Sequence, residues 1–356
     1  ALSLLLSIYS SNAFAGAISA ILVNVPGSSS AMITCIEGYP LAKKGEAGRA
    51  LGIATVAGTL AGLFSIFAFI IAAPALANVA YQFGPPEYFA LMLFGLSMVA
   101  SISGKGSAKN LISAAFGVLL GTVGVDFVTG AERFTFGYLE MTEGFKVVPI
   151  LIGMFVVAEL MLMIGRNYVV EGSAAGDQRS VAGMRRGFAL PFRYPLTLLR
   201  SSVVGMIVGI VPAAGGALAS FTSYALAKRA SRTRETFGKG NPEGIVAAES
   251  ANNACSGGAL MTTMVLGVPG SVATAVLLGA MAMHDLRAGP QLVHQQIPIV
   301  YGLIMAAIVS QVFMVAMATG MGYAMTGALA VRTRVLVPIL LIFSLPVSYT
   351  HLRAHE

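Results

Sequence analysis

The sequence predicts an all-α multi-pass membrane protein built from inverted-topology repeats, with a re-entrant hairpin and broken helices. Hydrophobic residues make up 56% of its 356 residues and charged residues 10%, whereas a soluble domain carries about 25% charged residues. Uncharged runs such as Leu51–Ala80 exceed the ~20 residues that a helix needs to cross a bilayer. Val-Pro-Gly-Ser interrupts apolar sequence twice, at 25–28 and at 268–271. Proline and glycine are poorly suited to a helix interior, so both motifs predict a break.

The charges of the loops predict how the apolar runs are oriented. Lys and Arg are concentrated in loops 43–49, 105–109 and 166–200, absent from 73–86, and mixed with acids in 129–146. This alternation is typical of a chain whose basic loops stay in the cytoplasm. The net charge of +7 therefore reflects topology in a lipid bilayer, and we expect no nucleic-acid partner. The predicted spans are 50–72, 86–103, 110–128, 147–165 and 297–323.

The apolar segment 201–227 lies between two basic loops, 166–200 and 228–239. Both loops should be cytoplasmic, so the segment must enter the membrane and return on the same side. Its middle, 211–216, reads Val-Pro-Ala-Ala-Gly-Gly and favours a tight reversal. The alternative is a single span with a proline kink, which would contradict the charge pattern.

The two Val-Pro-Gly-Ser motifs are followed by loops of different charge. Loop 43–49 after the first is basic and fits the inside, whereas 284–291 after the second is nearly neutral and fits the outside. Opposite orientation at matching positions indicates an inverted-topology repeat.

The C-terminal tail, 348–356, resembles translated adapter sequence. We expect a first repeat half at 1–165 lacking its N-terminus, a cytoplasmic linker at 166–200, a truncated second half at 201–347, and a non-native tail at 348–356.

Breaks inside a membrane expose the ends of half-helices, which can bind ions. A helix N-terminus suits an anion, and carbonyls freed from helical hydrogen bonding suit a cation. Ser28 and Ser271 could cap half-helices and offer hydroxyls, although each Pro-Gly could merely kink a packed helix. The polar group Glu249, Asn252 and Asn253 could line a cavity, or form a polar lead-in at the membrane surface. The candidate substrate- or ion-binding residues are Pro26, Gly27, Ser28, Pro212, Ala213, Ala214, Gly215, Gly216, Glu249, Asn252, Asn253, Pro269, Gly270 and Ser271.

Gly-x-x-x-Gly pairs inside the apolar segments predict close approaches between helices. They lie at 58–62, 117–121 and 205–209. In a chain with 41 glycines each pair is a weak signal on its own.

Motifs of enzymes and of ATP-driven pumps do not occur in the sequence. It has no His-Glu-x-x-His, no Gly-x-Ser-Gly and no Gly-x-x-x-x-Gly-Lys-[Ser/Thr]. Cys35 and Cys255 lack metal-ligand spacing, so neither a metal site nor a catalytic residue is predicted. A passive anion channel and, less favoured, an intramembrane enzyme stay open as alternatives to a permease.

Long motifs give the chain a family resemblance. "NVPGSSSAMITCIEGYPLAKKGEAGRALGIA", "GIVPAAGGALASFTSYALAKR", "FGKGNPEGIVAAESANNA" and "LGVPGSVATAVLLGAM" resemble the large membrane (permease) subunit of tripartite tricarboxylate transporters in order and spacing. Glu37 departs from the Asp that the family often has, and Ala213-Ala214-Gly215 replaces a more usual Gly-Leu-Gly.

The resemblance implies a secondary transporter of the bacterial inner membrane. Such a permease works with a small membrane subunit and a periplasmic solute-binding protein, and takes up a carboxylate such as citrate with a cation gradient. The site residues named above are the ones that match the family's motifs. We expect the substrate carboxylates at the breaks and at the turn 212–216, and no cofactor. A co-transported Na⁺ would bind Asn252, Asn253 and freed carbonyls, or a carboxylate would carry H⁺.

Overall fold

The computed structural model describes residues 2–24, 26–102, 107–126, 129–145, 181–212 and 214–328, with the single residues 150, 153 and 161. Most of the predicted span 147–165, and the candidate site residue Ala213, lie outside the described residues. The chain forms two compact units. The first comprises Ala1–Tyr88 and Val170–Ala330, and the second comprises Phe89–Val169 and Val331–Glu356. Every described candidate site residue belongs to the first unit.

The described part of the chain is almost entirely helical. A two-residue antiparallel hairpin joins β1 (Gly124–Val125) to β2 (Glu132–Arg133). Short 3-10 turns span Ser29–Ala31, Leu139–Met141, Pro191–Arg193 and Arg234–Thr236, and a π turn spans Ala42–Glu46. The α-helices are α1 Leu2–Val23, α2 Met32–Leu41, α3 Ala47–Ala80, α4 Pro85–Ile102, α5 Ser107–Gly121, α6 Val181–Phe188, α7 Pro195–Ile210, α8 Gly215–Ala230, α9 Pro242–Leu266, α10 Val272–Ala282, α11 Pro290–Gln295 and α12 Ile297–Ala328.

Three described stretches are long and apolar enough to cross a membrane: Leu2–Leu22, Ser29–Ala80 and Ile297–Gly320. Shorter apolar helices occur at Leu111–Gly121, Pro195–Ile210 and Val272–Ala282. The predicted class, an all-α membrane protein, is therefore confirmed.

Two span boundaries differ from the prediction. The span 50–72 is part of a longer helix that continues through Pro74 to Ala80. The span 110–128 is wrong at its end, because α5 stops at Gly121 and Gly124–Val125 pairs with Glu132–Arg133. Gly124, the first residue of β1, has a φ of 123°, which only glycine adopts readily.

Helix α9 forms the centre of the first unit. Its 25 residues span about 37 Å at 1.5 Å per residue. The Asn241 side chain caps its start by accepting a 2.7 Å hydrogen bond from the Glu243 N–H, and Pro242 occupies the first turn. Gly267, in the left-handed conformation with φ 70°, ends the helix. Nearly every α9 residue is buried, against α1, α3, α7 and α8.

Helices α7 and α8 form the predicted hairpin. On α7, Gly205 packs against Ala251 and Gly209 against Cys255, so α7 runs parallel to α9. On α8, Gly216 lies beside Asn252, and the Ser220 hydroxyl donates to the Ala248 carbonyl at 3.2 Å. Helix α8 is therefore antiparallel to α9, and hence to α7.

A single carboxylate holds both ends of this hairpin. Glu243 accepts a 2.7 Å hydrogen bond from the Thr197 hydroxyl, in the first turn of α7. It accepts another, of 2.6 Å, from the Ser231 hydroxyl just after α8. The two ends thus lie together, as the re-entrant prediction requires, and a single straight span with a proline kink is excluded.

The two halves of the first unit are related by a repeat of 243 residues. When 243 is added to the residue numbers, the bounds of α1 match those of α9. The segment 29–41 then matches α10, and α3 matches the α11–α12 region. Helices α1 and α9 are antiparallel, because the Tyr9 hydroxyl donates to the Ser256 carbonyl at 2.8 Å and the Asn252 amide donates to the Ala13 carbonyl at 3.3 Å. Tyr9 corresponds to Asn252 and Ala13 to Ser256. The two hydrogen bonds are therefore two-fold mates, as an inverted repeat demands.

Candidate functional site

The two Val-Pro-Gly-Ser breaks share one backbone conformation. Helix α1 ends at Asn24 with φ 58°, and α9 ends at its counterpart Gly267 with φ 70°. Four residues further on, Ser28 has φ −151° and ψ 162°, and Ser271 has φ −156° and ψ 167°. A left-handed residue followed by an extended serine therefore turns the chain in the same way in both repeats.

Each break folds back onto the helix that precedes it. A Cβ on Gly27 would lie 2.7 Å from the Gly16 Cα, and a Cβ on Gly270 would lie 2.7 Å from the Ala259 Cα. In both repeats the contact joins residues 11 apart. No side chain fits at either position, which explains why both motifs have glycine there.

The two motif serines differ in their hydrogen bonds. Ser271 caps α10: its hydroxyl accepts from the Thr274 N–H at 3.3 Å, and its own N–H donates to the Thr274 hydroxyl at 2.9 Å. The capping expected of Ser271 is therefore confirmed. Ser28 precedes the 3-10 turn, but its side chain makes no capping bond and instead lies 2.9 Å from the Ser30 hydroxyl. The prediction that Ser28 caps a helix is wrong, because its hydroxyl is hydrogen-bonded to the Ser30 hydroxyl instead.

The hairpin tip meets the first break beside Asn252. A Cβ on Gly216 would lie 2.7 Å from the Asn252 Oδ1 and 3.0 Å from the Ser30 Cβ. Gly215 opens α8 with φ 73°, and Pro212 and Ala214 are buried in the tip. The structure thus brings together the 212–216 turn, the Asn252 amide and Ser30, whose hydroxyl lies 2.9 Å from that of the first motif's Ser28.

The two breaks do not touch each other. Because Ala13 lies opposite Asn252 and the helices are antiparallel, the Gly16–Gly27 contact lies near residue 249 of α9. The Gly270 contact lies at Ala259, about 15 Å further along at 1.5 Å per residue. Pro26 and Gly27 are exposed and Pro269 is half-buried. The breaks therefore flank the polar segment of α9, one on each side.

That polar segment lies inside the protein and is not a surface lead-in. Glu249, Asn252 and Asn253 have exposed fractions of 0%, 4% and 2%. Glu249 accepts a hydrogen bond from the Thr34 hydroxyl through one oxygen, and its other oxygen has no partner. Among the described residues no cation pairs with it. A buried carboxylate in this state can bind a proton or a cation.

Asn253 and Gln311 line a small cavity between α1, α3, α9 and α12. Their side-chain oxygens are buried and unpartnered. Sequence reasoning missed Gln311, although it is an isolated amide within an apolar span. It also missed the buried Glu37, Glu243, Thr34 and Tyr9, whose partners lie far away along the chain. Glu37 accepts hydrogen bonds from the Tyr224 hydroxyl at 2.6 Å and from the backbone N–H groups of 238, 240 and 241.

Inverted repeats with broken helices around a buried polar centre are the design of membrane transport proteins. Residues 1–353 match the model of the family described as "Tripartite tricarboxylate transporter TctA family". The chain belongs to that family.

Two curated relatives come from Agrobacterium vitis. The "Uncharacterized 52.8 kDa protein in TAR-I ttuC' 3'region" is 36% identical over 343 residues, which are 96% of this chain and 68% of that protein. The "Uncharacterized protein in TAR-II ttuC' 3'region" is 29% identical over 140 residues, which are 39% of this chain and 58% of that protein. No solved structure matches the chain.

Proposed function

We propose that this protein is the permease subunit of a tripartite secondary transporter that takes up tricarboxylates, such as citrate, or related organic anions. Membership of the tricarboxylate transporter family supports the substrate class. The pair of matching breaks on either side of Glu249, Asn252 and Asn253 is the observation that carries the proposal.

The anion would bind at the half-helix ends. The N-terminus of α10, the turn before α2 and the N-terminus of α8 each offer free N–H groups and a positive dipole end. Hydroxyls of Ser28 and Ser271 would add hydrogen bonds. Because these groups lie on the two related breaks and on the hairpin turn, a rocking motion of one half would expose the site to each side in turn.

The driving force would be a cation gradient. Asn252, Asn253 and freed carbonyls would hold Na⁺, or Glu249 would carry H⁺, and either arrangement makes the protein a symporter. A small membrane subunit and a periplasmic solute-binding protein would complete the system in a bacterial inner membrane. The family's tripartite description supports these partners.

Uptake by proteoliposomes tests this function. The full-length protein is reconstituted with its two partners, and labelled citrate is followed under an imposed Na⁺ or H⁺ gradient. We expect accumulation above the external concentration, which collapses when the gradient is removed. Equilibration without accumulation would instead indicate a channel, and conversion of citrate without transport would indicate an enzyme.

The capping serine provides a local test of the site. Ser271→Ala removes the hydroxyl at the N-terminus of α10 and costs about 1 kcal/mol of stability. We expect uptake to be lost while the protein still reaches the membrane in normal amount, as checked by immunoblot. Thr233→Ala, in the exposed loop after α8, is the comparison variant, because it leaves both breaks intact. Normal uptake by Ser271→Ala removes this residue from the site.

A further inference from the structure

We infer that the cavity between Asn253 and Gln311 is a Na⁺ site shared by the two repeats. This inference rests on the proposed cation-driven transport and names the residues that would carry the coupling ion. The cavity is lined by α1 and α3 of the first repeat and by α9 and α12 of the second. Gln311 is assigned no role by the sequence motifs.

Unpartnered oxygens point to a cation as the occupant. Asn253 Oδ1 and Gln311 Oε1 have no hydrogen-bond partner, and both side chains are 2% exposed. Asn253 donates one N–H to the Glu249 backbone carbonyl at 2.9 Å, and Gln311 donates to Ser10 at 2.7 and 3.0 Å. The two amide oxygens are left as acceptors for an occupant of the cavity.

Hydroxyls around the cavity add further oxygen atoms to the two amide oxygens. The Ser65 hydroxyl donates to the Gly62 carbonyl at 2.8 Å, so its lone pairs are left for a ligand. The Tyr9 hydroxyl, which also lines the cavity, donates to the Ser256 carbonyl at 2.8 Å. Ser10 accepts from Gln311. Hard cations prefer neutral and anionic oxygen ligands of this kind. The described residues contain no cluster of three His, Cys, Asp or Glu that a transition metal would prefer.

The size of the cavity excludes the organic substrate. It measures about 20 Å³, which is room for one water-sized particle. A tricarboxylate does not fit, whereas a dehydrated Na⁺ does. Large cations are disfavoured for the same reason.

Two glycines create the space for the amides. A Cβ on Gly58 would lie 2.7 Å from the Asn253 Nδ2, and a Cβ on Gly62 would lie 2.8 Å from the Gln311 Oε1. This gives the 58–62 pair a second role besides helix packing. Because Ser10 is the two-fold mate of Asn253 at the 243-residue offset, the cavity lies where the repeats meet, and its occupant would contact both halves.

Na⁺ binding by the purified full-length protein tests the site without transport. The measurement is ²²Na⁺ binding, with thermal stability as a function of NaCl against choline chloride. Gln311→Leu removes the oxygen at similar volume, and Gly62→Ala pushes the Gln311 amide out of place. We expect the Kd for Na⁺ to rise at least about tenfold in each variant. Gly302→Ala, on α12 with open space around its Cα, should bind Na⁺ like the wild type.

Outcomes separate the site from the function. Wild-type binding that neither variant weakens, or a wild type that binds no Na⁺, overturns the inference; the latter leaves H⁺-driven uptake intact. Variants that lose Na⁺ binding and elute from gel filtration like the wild type support it. Na⁺ binding lost in the variants, together with no citrate uptake by the wild type, supports the site and rejects the proposed function.

Discussion

Two buried glutamates illustrate how differently one residue type is used in this protein. Glu37, on α2, accepts hydrogen bonds from the Tyr224 hydroxyl and from three backbone N–H groups of the loop before α9. Glu249, on α9, accepts one bond, from Thr34, and keeps a free buried oxygen. A fully satisfied carboxylate holds structure, whereas an unsatisfied one is available to a ligand.

Glu37→Ala should destabilise the protein without acting on the transport site. The Tyr224 hydroxyl and the N–H groups of Gly238, Gly240 and Asn241 would lose their acceptor, so we expect the free energy of unfolding to fall by about 3 kcal/mol. Denaturant unfolding in detergent micelles measures this. The exposed Glu235→Ala is the control and should be neutral. Equal stability of both variants would show that the loop does not depend on Glu37.

Glu249→Gln should reduce transport while leaving the stability of the protein nearly unchanged, the reverse of what we expect for Glu37→Ala. The amide has the same size and still accepts from Thr34, so we expect stability within about 1 kcal/mol of the wild type. It cannot take up a proton or neutralise a cation, so uptake should fall at least about tenfold. Initial rates in proteoliposomes, compared with the surface variant Glu235→Gln, give the answer. An unchanged rate would mean that the free carboxylate oxygen has no part in transport.

At the scale of helices, the same sequence pattern meets three different surroundings. The 205–209 pair lets α7 approach the backbone of α9, since Cβ atoms there would lie 2.3 and 2.2 Å from the carbonyl oxygens of Ala251 and Cys255. The 58–62 pair admits side-chain amides, and the 117–121 pair has no described neighbour within 4 Å of its added Cβ atoms. The sequence predicts close packing for all three, but what each pair admits depends on the neighbouring helix.

Gly209→Ala should therefore loosen the hairpin from α9. A methyl group has no room beside the Cys255 carbonyl, and we expect a loss of about 2 kcal/mol in stability. Gly117→Ala is the matched control in open space and should be neutral or slightly stabilising, because alanine favours a helix. Thermal melts of the two variants in the same detergent compare them. Similar melting temperatures would show that α7 does not pack closely on α9.

At the scale of the whole molecule, the sequence predicted local breaks better than long-range contacts. The duplicated motif and the loop charges predicted both breaks, the hairpin and the inverted repeat, because proline, glycine and charge act locally or against the bilayer. The capping of Ser28, the role of Gln311 and the link from Glu243 to both hairpin ends could not be predicted. The partners of Gln311 and Glu243 are brought together by packing across 12 to 301 positions of the chain, and Ser28 bonds to the Ser30 hydroxyl in place of a backbone N–H.

The inverted repeat makes a prediction about sidedness that labelling can check. In a background with Cys35→Ser and Cys255→Ala, single cysteines are placed at the exposed positions of Arg193→Cys, Arg232→Cys and Asp285→Cys. Because Glu243 joins the two hairpin ends, the first two should react with a membrane-impermeant maleimide from the same, cytoplasmic side. The third follows α10 and should react only from the opposite side, as inverted topology requires. Inside-out and right-side-out vesicles provide both sides. If the first two react from opposite faces, the segment 201–227 is a single kinked span and not a re-entrant hairpin. If all three react from one face, the two repeats are not inverted.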